Sequence, residues 1–235
     1  MTSKYRYLIP NGITFLSLMC GVISIFSSAT GKLGLAGALI LTSYILDMFD
    51  GALARRLNAR SNFGLQLDSL VDMVSLGMAP ATLVFMRLQE SDLSPVLVWP
   101  IVTLIPMAGA FRLARFNLLP AKLSGSADSM GLTISTAGAT QALAVLSDLS
   151  LPTGFLPDTF YPILLLTLCV LMVSTIRFPS LAWVVSRKRL TVVFLSVMAV
   201  SLLFWPFVLT WFMFTNGYLG VSLVRAGILM RGGQV

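Results

Sequence analysis

The sequence predicts an all-α fold, a polytopic membrane bundle of about eight transmembrane helices in which a six-helix core is followed by a C-terminal pair. Three observations predict it. Hydrophobic residues make up 57% of the chain and charged residues 11%, giving a mean hydropathy of +0.89. Apolar runs recur near the ~20 residues that a helix needs to cross hydrocarbon. In the resulting topology 14 of the 16 basic residues fall on one side, as the positive-inside rule requires.

Runs bounded by proline, glycine and charge place spans at 10–29, 33–54, 67–86, 96–114, 130–147, 160–176, 190–204 and 206–225. The first follows the basic segment MTSKYRYLIPNG, which resembles the start of a signal peptide. No small-residue cleavage pattern follows and further spans do, so a retained first helix is expected. The final stretch, LTVVFLSVMAVSLLFWPFVLTWFMF, reads either as a hairpin around Trp205-Pro206 or as one long kinked helix. The second reading moves the C-terminus to the other side. The whole chain, 1–235, is expected to be one integral-membrane domain with a core over 8–180 and C-terminal helices over 188–228.

With the N-terminus cytoplasmic, Lys4, Arg6, Arg55, Arg56, Arg60, Arg112, Arg115, Lys122, Arg177, Arg187, Lys188, Arg189, Arg225 and Arg231 lie inside. Lys32 and Arg87 lie outside, together with Glu90, Asp92, Asp148 and Asp158. The net charge of +7 therefore follows topology and membrane lipid, and no nucleic-acid partner is expected. Cys20 and Cys169 sit far apart inside apolar runs and read as packing residues. Histidine is absent, so catalysis must rely on carboxylates.

Four carboxylates stand out, because Asp47, Asp50, Asp68 and Asp72 interrupt segments that otherwise read as membrane spans near the cytoplasmic face. At 3.6 residues per turn Asp47, Asp50, Gly51 and Ala54 fall within about 100° of one another. Gly64, Asp68 and Asp72 form an i, i+4, i+8 line on the next helix. Antiparallel packing across the 55–63 loop brings all four carboxylates together. Each aspartate at the membrane centre costs roughly 2.5–3.5 kcal/mol, and four cost on the order of 10 kcal/mol, less near the interface. Helix capping, or pairing with Arg55, Arg56 and Arg60, explains single aspartates but not two ranks at helical spacing. Bound divalent metal offsets the repulsion. An all-oxygen donor set favours Mg²⁺ or Mn²⁺, with Ca²⁺ also compatible, and two such ions can clamp a phosphate or pyrophosphate.

The order Asp47-x2-Asp50-Gly51-x2-Ala54-Arg55-x8-Gly64-x3-Asp68-x3-Asp72 resembles, position for position, the signature of the CDP-alcohol phosphatidyltransferase family. The resemblance implies that Asp47 and Asp68 are shared by two metals, Asp50 binds one, and Asp72 binds the other and accepts a proton as the catalytic base. It implies contacts to the CDP part of the donor from Gly51, Arg55 and Ser61, and from Asn11 and Thr14 in the segment PNGIT. GAFRLARFN (109–117), QLDSLVDMVSLGMAPA (66–81) and VSTIRFPS (173–180) resemble the branch of this family that transfers to serine. One departure is SMGLTIST, which stands where that branch has a Gly-Leu-Pro-rich start to its fifth helix.

The family resemblance implies attack of an alcohol on the lipid-bearing phosphorus of CDP-diacylglycerol, with CMP leaving. Its expected partners are CDP-diacylglycerol, serine, membrane lipid and a second copy in a homodimer. Arg112 and Arg115, with Asn117 beside them, are candidates to hold the acceptor's carboxylate or a phosphate. Glycerol phosphate or inositol phosphate is the alternative acceptor. A divalent-cation transporter is a more distant reading, and a membrane prenyltransferase would normally show two aspartate motifs, where this chain shows one cluster.

Overall fold

The computed structural model describes residues 5–59, 61–118, 128–151, 156–179 and 207–231. Helix α1 (Tyr5–Ala29) is closed by Gly31 at φ 76°, a left-handed position at which glycine avoids the Cβ clash. There the N–H of Lys32 donates to Ser27 O and that of Gly31 to Ser28 O, both at 2.9 Å, satisfying carbonyls that the helix leaves bare. The chain thereby reverses into α2 (Leu33–Arg56). Asn58, at φ 49°, repeats the device at the end of α2, with the Ala59 N–H donating to Ala54 O at 2.9 Å. Ser61 then caps α3, its Oγ accepting the Gly64 N–H at 3.0 Å.

Helix α3 runs from Asn62 to Leu88 and changes pitch on the way. Asn62–Asp72 is α-helical, Met73–Met78 is π-helical and Ala79–Leu88 is α-helical again. Pro80 supplies the cause, since it has no N–H to give the Leu76 carbonyl and its ring would press on that carbonyl in a regular helix. The wider turn relieves both.

Helix α4 (Pro95–Leu118) is followed by β1 (Asp128–Met130), α5 (Ile134–Ser150), α6 (Phe160–Val173), β2 (Arg177–Pro179) and α7 (Phe207–Arg231). The strands pair antiparallel with Ser129 opposite Phe178. At three residues each they are too short to show alternation, and the sequence reading left all of their residues except Met130 outside the expected spans. Of the spans expected from sequence, four are matched by helices long and apolar enough to cross a membrane: Tyr7–Ala29, Leu33–Arg56, Asn62–Leu88 and Pro95–Leu118. Helix α6 is apolar but shorter, and the expected span at 190–204 lies outside the described residues.

Helix α5 is the central rod. Its run Ala137, Gly138, Ala139, Thr140, Gln141, Ala142, Leu143, Ala144, Val145 is buried on every side, as a helix with no polar face must be. Its small residues let neighbours approach closely, and a Cβ on Gly138 would strike the Leu76 carbonyl of the π-turn. Ile134 fills the space over Gly77 and Gly109.

Basic and acidic residues that the sequence places on the outer side meet at the far end of this bundle. Arg87 at the end of α3 pairs with Asp148 of α5 at 2.8 Å and Asp158 before α6 at 3.4 Å. Asp148 also accepts from the hydroxyl of Tyr161 at 3.1 Å and the N–H of Leu156 at 3.0 Å. The aspartate cluster sits at the opposite end, beside the α2–α3 turn.

Candidate metal and substrate site

Helices α2 and α3 pack antiparallel through this turn, and their carboxylates converge. Oxygens of Asp47, Asp50 and Asp68 all lie within 4.8 Å of one another. Asp72 follows one turn deeper on α3 and is 8% exposed. Asp72 and Ser135, near the start of α5, lie near the Asp47 carboxylate.

No ion pair at contact distance neutralises these charges among the described residues. Among the described residues the ion pairs within 4.0 Å are those of Arg87, at the other end of the bundle. Arg55 and Arg56 are exposed and form none, while Arg60 lies outside the described residues. The cap of α3 is Ser61, not an aspartate. Capping therefore does not explain the described cluster, and neither does pairing with Arg55 or Arg56. Three carboxylates this close in an apolar bundle stay ionised together only beside a cation. Their all-oxygen donor set fits a hard divalent ion.

The residues expected around the donor lie at the same end. Thr14 of α1 donates its hydroxyl to Asp50 Oδ2 at 2.7 Å and also reaches Pro10 O at 3.1 Å. It therefore orients a carboxylate, a role the sequence did not indicate. Asn11, one turn earlier, places Oδ1 3.5 Å from where a Cβ on Gly64 would sit. Arg55 folds back along α2 with Nη1 3.4 Å from the corresponding point on Gly51. Ser61 Oγ accepts from Gly64, which leaves its own hydrogen available to a ligand.

The three residues expected at the acceptor separate. Arg112 is 7% exposed and within Coulombic range of Asp72, Asp47 and Asp68. One of its terminal nitrogens donates to Ser129 Oγ at 3.3 Å, its guanidinium lies 5.5 Å from the centre of the Phe116 ring, and its buried Nε has no partner. A buried guanidinium donor without an acceptor is costly unless a ligand supplies one. Arg115 instead gives its donors to backbone oxygens of Val173 (2.9 Å), Ser174 (3.0 Å), Met130 (3.2 Å) and Met172 (3.3 Å). It ties the end of α6 to the turn at Gly131, whose φ of 74° brings the backbone against it. Asn117 Nδ2 donates to Ser69 Oγ at 3.2 Å, linking α4 to α3.

A protein-family model described as CDP-alcohol phosphatidyltransferase matches residues 7–173. A Helicobacter pylori protein named CDP-diacylglycerol-serine O-phosphatidyltransferase is 33% identical over 83% of this chain and 82% of its own length. A Bacillus subtilis protein of the same name is 35% identical over 73% of this chain and 89% of its own. Archaetidylserine synthase of Methanothermobacter thermautotrophicus is 32% identical over 73% and 69%. The aspartate signature, the cluster it forms and these matches agree: the chain belongs to the CDP-alcohol phosphatidyltransferase family.

Proposed function

We propose that this protein transfers the phosphatidyl group of CDP-diacylglycerol to the hydroxyl of L-serine, giving phosphatidylserine and CMP. The observation that carries the reading is the convergence of Asp47, Asp50 and Asp68 beside the unpartnered, buried Nε of Arg112. The names of the relatives support serine as acceptor.

In this reading Asp47, Asp50, Asp68 and Asp72 hold two divalent ions, Mg²⁺ or Mn²⁺, with Ca²⁺ also compatible. Bound there, such ions neutralise the pyrophosphate and stabilise the charge that develops on departing CMP. Asn11, Gly51, Arg55 and Ser61 bind the CDP moiety, while Thr14 fixes the orientation of Asp50. Arg112 orients serine through its carboxylate, a charge-assisted contact that fills the empty donor position. Serine Oγ then bonds to the lipid-bearing phosphorus, the bond from that phosphorus to the bridging oxygen breaks, and CMP leaves with that oxygen. The serine proton passes to Asp72. Arg115 and Asn117 act on the acceptor side by holding α4, α6 and α3 in register.

The orientation follows from charge. Arg55, Arg56, Arg112 and Arg115 surround the carboxylate end, whereas the far end carries Lys32 and the acid-paired Arg87. That asymmetry supports a cytoplasmic site.

Purified protein given CDP-diacylglycerol and Mn²⁺ or Mg²⁺ is expected to release CMP when serine is added. Inositol phosphate, glycerol phosphate and water should be ineffective, and Asp72→Asn should abolish the release. Release with a phosphorylated alcohol alone would replace serine as acceptor and leave the family chemistry intact.

A further inference from the structure

Behind the carboxylates lies a second tier of polar side chains that the chemistry above does not use. Ser17 of α1, Ser43 of α2 and Ser75 of α3 are 2%, 0% and 0% exposed. Ser17 Oγ and Ser43 Oγ are 2.6 Å apart, Ser17 Oγ also donates to Ser43 O at 3.3 Å, and Ser75 Oγ donates to Ser17 O at 3.1 Å. One scheme uses every hydroxyl hydrogen: Ser43 gives to Ser17 Oγ, Ser17 gives to the Ser43 carbonyl, and Ser75 gives to the Ser17 carbonyl.

Position in sequence makes this tier specific to the site. Ser43 precedes Asp47 by four residues, Ser75 follows Asp72 by three, and Ser17 follows Thr14, the partner of Asp50, by three. Because α2 runs opposite to α1 and α3, all three serines lie one turn deeper than the group they back. A hydroxyl in a helix ordinarily bonds the carbonyl four residues before it, and Thr42, Ser69, Thr82 and Thr103 do so here. The three serines reach across to another helix instead. At the same level a Cβ on Gly21 would stand 2.6 Å from Ser75 Cα, so α1 and α3 touch backbone to backbone.

We infer that Ser17, Ser43 and Ser75 are positioning residues that set the spacing of the metal-binding carboxylates, with α1 as the ruler to which both ligand-bearing helices are pinned. The inference rests on the reading of the aspartate cluster as a divalent-metal site. Its physical basis is the weakness of alternatives. Lipid-embedded helices have no hydrophobic drive toward one another, so packing and polar cross-links hold their separation. Mg²⁺ demands near-ideal octahedral geometry, whereas Ca²⁺ tolerates wider and less regular oxygen sets. Loosening the tier should therefore weaken binding and relax ion choice.

The test is direct Mn²⁺ binding to the full chain in detergent or nanodiscs, read from the free-Mn²⁺ electron paramagnetic resonance signal, with Mg²⁺ and Ca²⁺ as competitors. Ser17→Ala and Ser75→Ala are each expected to raise the dissociation constants for Mn²⁺ and Mg²⁺ by about 10-fold, the low end of effects seen when groups behind metal ligands are removed, and that for Ca²⁺ by less. Ser24→Ala is the control. Its hydroxyl makes the same kind of bridge, to Ala36 O at 2.9 Å, farther along α1 from the site. It should lower thermal stability as much as the other two and leave the metal constants unchanged. If Ser17→Ala does not fold, Ser75→Ala carries the test, because it leaves the Ser17–Ser43 bridge in place. Unchanged metal constants in the tier variants, or an equal loss in Ser24→Ala, overturn the inference. A wild-type protein that binds no Mn²⁺ overturns the metal reading itself, and the inference with it.

Discussion

Thr14 donates its hydroxyl hydrogen to Asp50 Oδ2 across 2.7 Å, joining a helix that has no carboxylate of the cluster to one that has two. Thr14 is 5% exposed and Asp50 also 5%, so the bond is shielded from water. The hydroxyl fixes which oxygen of Asp50 remains free for a metal, the usual task of a hydrogen bond behind a ligand.

Replacing Thr14 by valine keeps its shape and removes the donor. Freed from that bond, Asp50 should rotate, and the Mn²⁺ concentration for half-maximal CMP release should rise by about 10-fold or more. The KM for serine should stay near its wild-type value. A metal titration of Thr14→Val against wild type checks this, and a change in serine KM alone would mean that Thr14 faces the acceptor.

Arg112 and Arg115 predict opposite phenotypes, although they lie three apart on one helix. Arg112 retains an unpartnered buried donor, while Arg115 is committed to four carbonyls. Arg112→Lys keeps the charge but loses the forked geometry, so the serine KM should rise by roughly 10-fold or more while thermal stability changes little. Arg115→Ala strips donors from the end of α6 and should lower the melting temperature, with loss of activity following loss of folded protein. Each unsatisfied carbonyl that stays buried costs about 1–3 kcal/mol. Serine-dependent kinetics and a melting curve on both variants separate the two roles.

Much of the site was legible in the sequence because a helix converts spacing into direction. Aspartates three and four residues apart on two neighbouring spans share faces. A short connecting loop forces those faces together, and the cluster forms as expected for Asp47, Asp50 and Asp68. The sides assigned to Arg87, Asp148 and Asp158 by charge agree with their meeting at one end of the bundle. What the pattern could not reveal depends on which helix lies beside which. Nothing in a span marks Ser17, Ser43 and Ser75 as bridging, since a serine in a helix ordinarily bonds its own backbone. Arg115 reads as an acceptor-binding partner of Arg112 until the end of α6 is placed against it. The π-turn was hidden because 67–86 reads as one uninterrupted apolar span through Met73–Met78, although Pro80 is the available sign.

Gly138 tests whether that turn is a packed surface. A Cβ there would collide with the Leu76 carbonyl and lie 3.1 Å from Leu76 Cα, atoms of backbone that cannot swing aside. Gly138→Ala should destabilise the protein by about 1–3 kcal/mol, the usual range for overpacking a core. Gly34→Ala is the comparison, because a Cβ at Gly34 meets nothing within 4 Å. It should be neutral or slightly stabilising, as alanine is the better helix former. Melting curves of the two variants, taken in the same detergent, give the difference.

The pair at the far end makes the last prediction. Arg87 and Asp148 side chains are 15% and 2% exposed, and Asp148 also holds Tyr161 and the Leu156 N–H. Removing one partner leaves a charge in a site with little water, which typically costs 3–5 kcal/mol, so roughly that loss is expected for Arg87→Met. Asp148→Asn should cost less, because its amide oxygen can still accept the Leu156 N–H, its NH2 can donate to the Tyr161 hydroxyl oxygen and it carries no charge, yet it strands Arg87 beside Asp158 at 3.4 Å. Combining Arg87→Met with Asp148→Asn removes both charges, so the double variant should be more stable than Arg87→Met alone. A double-mutant cycle on melting free energies measures that recovery. Additive losses would mean that the two side chains are not coupled, and that this end of α3 and α5 is held by other contacts.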